Sequence, residues 1–121
     1  MMLPSSCKIY IATKSIDMRK GINGLSLYVV SHLELNPITS GVFVFYNNHK
    51  TKLKILYWDL NGFALWYKIL ERGKFQIDSY IAATTNDRIC VISSQNLAWL
   101  LSGLDLKKVS GFKPLKYSEF Y

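Results

Sequence analysis

Acidic residues are scarce in this chain, and several function classes go with them. There are 8 Asp and Glu against 15 Lys and Arg in 121 residues. Enzymes that hold paired metal ions need several carboxylates close together. Asp59 and Glu71 stand twelve apart, and Asp87 and Asp105 have no acidic neighbour. The only histidines are His32 and His49, neither with a nucleophile at a telling spacing. Cys7 and Cys90 lack CxxC spacing, which argues against zinc, and their apolar neighbours suggest buried free thiols. Neither GxxxxGK[ST] nor GxGxxG occurs, so nucleotide-driven activity has no support. Met1 to Lys8 lacks the apolar core of a signal peptide. No apolar run approaches the roughly 20 residues that span a bilayer. A cytoplasmic protein without cofactor or catalytic residues is the expectation, with no membrane partner.

Proline is rare as well, with 3 residues, while half of the chain is apolar and 14% is aromatic. That balance specifies a packed globule of one domain. The net charge is +7 with a pI near 9.5, which favours a polyanionic partner: DNA, RNA or acidic lipid.

The hydrophobic pattern divides the chain into short elements. Lys8 to Ala12 reads as a strand, with Ile9 and Ile11 on one face. Asp17 is placed to cap a helix running to about Leu33, with Met18, Ile22, Leu25, Val29 and Leu33 as its buried stripe. Gly21 and Gly24 suggest either close approach of another element or a weaker helix start, and Asn36-Pro37 ends the helix. Val42 to Tyr46 and Lys52 to Trp58 form a hairpin around Asn47 to Lys50. Val42 and Val44 oppose Phe43 and Phe45, so both faces of that strand look covered. Asp59 then caps a predicted second helix, Leu60 to Arg72, closed by Gly73. Lys74 to Asp78 and Arg88 to Ile92 read as strands with a loop from Tyr80 to Asp87 between them. A third helix, Gln95 to Ser102, follows a serine cap and stops at Gly103.

The expected fold is α+β. One domain over residues 1–105 has a small, largely antiparallel sheet with a central hairpin and about three helices, in the order β-α-β-β-α-β-β-α. Residues 106–121 form a basic, aromatic tail.

The chemistry-bearing pattern is basic and aromatic. Lys50, Lys52 and Lys54 alternate at period two and so project from one strand face. Lys68, Arg72 and Lys74 end the next element, and Lys14, Arg19 and Lys20 flank the start of the first helix. Tyr57, Trp58, Trp66 and Tyr67 are interleaved with them, either as core or as stacking surfaces. Cations grip phosphates regardless of sequence. The candidate DNA-binding residues are therefore Arg19, Lys20, Lys50, Lys52, Lys54, Lys68, Arg72 and Lys74. The alternative is a protein-interaction module exposing Tyr57, Trp58 or the late aromatics Phe112, Tyr117, Phe120 and Tyr121.

One resemblance covers Ile9 to Phe75. It is carried by Asp17-Met18-Arg19-Lys20-Gly21 with Gly24-Leu25, Ser40-Gly41 with Phe43-Val44-Phe45, and Lys54-Ile55-Leu56-Tyr57-Trp58-Asp59. Gly62-Phe63, Leu65-Trp66-Tyr67-Lys68 and Leu70-Glu71-Arg72-Gly73-Lys74-Phe75 complete it, with a weaker echo over Leu97 to Asp105. These motifs resemble the TnpB-type accessory protein, the second open reading frame of the insertion-sequence 66 family. The resemblance implies a non-catalytic role in transposition beside a separate DDE-type transposase. It implies DNA at the element's ends, the transposase and the element's other proteins as partners, with self-association left open.

Overall fold

Two apolar layers, one on each side of a single sheet, organise the computed structural model, which describes Leu3 and residues 7–103. The elements run β1 (Ile9–Ala12), α1 (Ile22–Tyr28) with a π-helical continuation (Val29–Leu33), β2 (Val42–Tyr46), β3 (Lys52–Asp59), β4 (Gly62–Ile69), α2 (Ile77–Ile81), β5 (Ile89–Ile92) and α3 (Ser94–Ser102). The five-stranded sheet has the order β4-β3-β2-β1-β5. β1 and β2 are parallel, joined through α1; every other pair is antiparallel. The fold is α+β, as expected.

Strand alternation sorts side chains between the two layers. Ile9, Ile11, Val42, Val44, Leu53 and Ile55 join Phe75, Ile77, Leu97 and Leu100 on the α2–α3 side. Tyr10, Phe43, Phe45 and Leu56 join Leu25, Val29 and Leu33 on the α1 side. Every residue of β2 is buried, as the opposed Val and Phe pairs require. Gly41 lets β2 begin beside β1: its φ of +149° is a glycine conformation, and a Cβ there would run into the Lys8 carbonyl oxygen.

The predicted helix over Leu60 to Arg72 is instead β4. Lys52 to Asp59 pairs with Ile69 to Gly62 without a break. The reversal is tight, with Leu60 at φ +54° and the Asn61 N–H donating to the Asp59 carbonyl. The apolar residues that looked like a broad helical face lie on both faces of a strand: Phe63 and Leu65 face α1, and Trp66 faces α2 and α3. Asp59 therefore caps no helix, and Gly73, at φ +74°, turns the chain after β4.

Three smaller expectations also change. Lys74 to Asp78 is not a strand. The Leu70 and Phe75 N–H groups donate to the Thr51 and Lys50 carbonyls, drawing this segment across the end of the sheet. Ile77, Tyr80 and Ile81, at helical spacing, then form α2 over the core. Asp17 closes a turn by accepting from the Arg19 N–H, and the first helix starts later, with Gly21 as its N-cap. Gly24 meets the Lys20 side chain and Gly21 has open space, so neither glycine marks the approach of another element. The first helix ends before Asn36-Pro37, with Glu34 in the left-handed region. Ser31 Oγ donates to the Leu27 carbonyl, a side-chain bond of the kind that loosens α winding, where the π-helical turns occur. α3 matches expectation, with Ser93 accepting from the Asn96 N–H and Gly103 left-handed. The predicted tail over residues 106–121, with Phe112, Tyr117, Phe120 and Tyr121, lies outside the described residues.

Candidate nucleic-acid interface

The strands place distant basic segments at one end of the sheet. That end holds the C-terminal ends of β1, β2 and β4 and the N-terminal ends of β3 and β5. The turn over residues 47–51 and the segment over residues 70–75 are held together by the two backbone bonds to Thr51 and Lys50. Lys50, Arg72 and Lys74 therefore neighbour Lys52, which starts β3 opposite Ile69. The turn over residues 17–20 closes on the same corner, because Ile16 N–H donates to the Tyr46 carbonyl. Arg19 and Lys20 join the group from the α1 side.

Lys54 does not share that surface. It is 6% exposed. Its Nζ donates to the Met18 carbonyl at 2.7 Å and the Lys20 carbonyl at 2.8 Å, and lies 4.8 Å from the Tyr67 ring centroid. Period-two alternation put Lys54 beside Lys52 correctly, but the 17–20 turn covers it. Lys68 is on the opposite face, where its Nζ donates to the Leu101 carbonyl at 3.1 Å. A cation there meets the negative end of α3. Lys50 is left-handed, at φ +60°, and lies before the strand rather than within it.

Ion pairing grades the remaining cations. Arg19 forks onto Asp17 at 2.6 Å, and this guanidinium holds the Asp17 carboxyl down at about 2. Lys50 meets Asp78 at 3.0 Å. Lys20, Arg72 and Lys74 are exposed and Lys52 is half-buried. The sequence reading left Arg88 out of the set and named Lys14 only as a flank of the first helix. Both stand at the same end near the far edge, where the Thr13 N–H donates to the Arg88 carbonyl. Arg88 also pairs with Glu34 at 2.6 Å. The long separation between Lys14 and Arg88 hid this neighbourhood until β1 paired with β5.

Of the interleaved aromatics, Tyr57, Trp58 and Trp66 are half-buried. Trp66 and Tyr57 pack against the α2–α3 layer, and Trp58 sits edge-on to Phe63 with centroids 5.0 Å apart. Tyr67 is 44% exposed. Among the described residues, no three His, Cys, Asp or Glu side chains stand close enough to hold a metal ion. No helix there is long and apolar enough to cross a membrane.

The architecture defines a small α+β protein whose sheet gathers basic residues at one end. The chain belongs to the family of IS66 Orf2-like proteins, which matches residues 7–111. These are accessory proteins of insertion-sequence transposition. The chain is 36% identical over 109 residues to "Uncharacterized protein y4jC" of Sinorhizobium fredii, covering 90% of this chain and 88% of that protein. It is 37% identical over 106 residues to "Uncharacterized protein y4hO" of the same organism, covering 86% and 88%. No solved structure matches.

Proposed function

We propose that the chain is a non-catalytic DNA-binding factor that assists a separate DDE-type transposase at the ends of its element. The observation that carries this reading is the convergence of Arg19, Lys20, Lys50, Lys52, Arg72 and Lys74 on one end of the sheet. The segments they come from share no secondary structure; Arg19 and Lys50 are ion-paired, while Lys20, Arg72 and Lys74 are exposed. Backbone phosphates are the chemistry such a surface grips. Lys54 serves this surface indirectly by fixing the 17–20 turn, and Lys68 anchors α3. We assign the work to the cytoplasm and invoke no cofactor.

The test is anisotropy of a labelled terminal-repeat duplex against a scrambled duplex. Salt-steep binding with a preference for the repeat supports the reading. No binding near physiological salt refutes it.

A second reading rests on a separate feature. β4 is an outermost strand, and its Tyr67 and Ile69 side chains are 44% and 52% exposed. A long apolar edge strand is a ready pairing surface for another protein. Under this reading the chain bridges transposase subunits without touching DNA. Co-purification with the transposase in high salt, lost on Ile69→Lys, supports it; no association at any salt removes it.

A further inference from the structure

A cleft of about 250 Å³ opens where the loop after β1 meets the π-helical stretch and the turn before β5. Its wall includes Lys14, Tyr28, Ser31, His32, Asp87 and Arg88. The Tyr28 and His32 rings stack, with centroids 4.5 Å apart and planes 10° from parallel. Tyr28 is braced from behind, edge-on to Phe45. His32 is the exposed member of the stack. Its Nδ1 lies 2.9 Å from Ser31 Oγ, which fixes the ring's orientation. Such a braced, solvent-side ring is a stacking platform.

The charges around the ring narrow the ligand. Lys14 and Arg88 offer cations, with Arg88 shared with Glu34. Asp87 adds a carboxylate to the same wall. A bare anion would be repelled by Asp87, and an apolar ligand would leave Lys14 and Asp87 unanswered. A ligand carrying an anion, a planar ring and an N–H donor answers all of them. Nucleotides have that combination: phosphate for Lys and Arg, a base face for the ring, and amino or imino groups for a carboxylate. The volume is too small for several stacked bases, and a paired base does not expose its face.

We propose that this cleft takes one unstacked nucleotide of single-stranded nucleic acid, with its base on His32 and its phosphate on Lys14 and Arg88. The inference rests on the DNA-binding reading and adds to it: the far edge holds a strand where a duplex ends or opens.

The experiment uses the full chain, a labelled six-nucleotide oligodeoxycytidine, an abasic strand of the same length and a blunt duplex. Removing a base–aromatic stack weakens binding roughly five- to hundredfold. His32→Ala is expected to lower oligodeoxycytidine affinity by about that factor, and His32→Phe to restore it. The abasic strand is expected to bind weakly to every form, and blunt-duplex affinity to stay unchanged. Lys14→Ala, at an exposed loop position, weakens both single strands and checks the phosphate contact without touching the helix. Equal binding of abasic and base-bearing strands overturns the proposal, as does an unaffected His32→Ala. If the blunt duplex still binds in that case, the proposal alone fails; if no nucleic acid binds, the DNA-binding reading fails with it.

Discussion

Lys54 and Tyr67 face each other across the β3–β4 pair, and the lysine ammonium lies 4.8 Å from the tyrosine ring centroid. The same ammonium closes the 17–20 turn through two carbonyls. Lys54 therefore acts as an internal tie between the sheet and the approach to α1. Lys54→Met strips the partner from two carbonyl groups and ends the cation–ring contact. It should cost about 2–3 kcal/mol in urea unfolding. The covered ammonium itself releases no counterions, so the salt slope for duplex DNA should fall by less than the about 0.9 of a direct phosphate contact.

Gly41 is the second point of tight constraint. Gly41→Ala puts a methyl group against the Lys8 carbonyl, whose oxygen accepts from the Val42 N–H at 2.9 Å. The β1–β2 pairing begins there. A loss of at least about 2 kcal/mol is expected, seen as a lower urea midpoint with unchanged slope.

Tyr46 couples the fold to alkaline pH. Burial pushes its phenol well above the ordinary value, helped by the Asp78 carboxylate. A folded-state acid with a raised pKa holds its proton more tightly than the unfolded chain does. Its stabilising contribution is therefore complete below about pH 10, the ordinary tyrosine value, and declines as pH rises above it. Absorbance titration should show one tyrosine ionising only with unfolding. Tyr46→Phe should remove that phase.

The two thiols should differ in reactivity. Burial raises the Cys90 pKa, and its Sγ donates to the Tyr80 carbonyl at 3.3 Å. Cys7 is half-buried. A disulfide reagent at neutral pH should modify Cys7 first, with Cys90 reacting at the rate of local opening. A Cys7→Ser chain should lose the fast phase.

β2 was legible because its alternation is strict and both of its faces are apolar, the pattern of a strand between two layers. α3 was legible through its serine cap and glycine stop. β4 was missed because this half-exposed edge strand carries apolar residues on both faces, which erases the period-two signal: Phe63, Leu65, Trp66, Tyr67 and the following Leu70 fit a broad helical stripe equally well. The Asn61-Gly62 dipeptide was the available signal, a turn pair between two apolar runs.

The candidate site was legible in part. The cations were identifiable singly, and the hairpin grouped Lys50 with Lys52. Sequence spacing does not reveal cover, so Lys54 could not be separated from its exposed neighbours. Nor does it give strand order, which brings Lys14 and Arg88 together across the β1–β5 pair.

The most direct test of the account compares the wild-type chain with Lys52→Glu, Lys74→Glu on a terminal-repeat duplex across a salt series. Each phosphate contact contributes about 0.9 to the slope of log affinity against log salt. The double variant should bind more weakly, with a slope shallower by about 2. An unchanged affinity and slope would contradict the claim that this end of the sheet grips DNA.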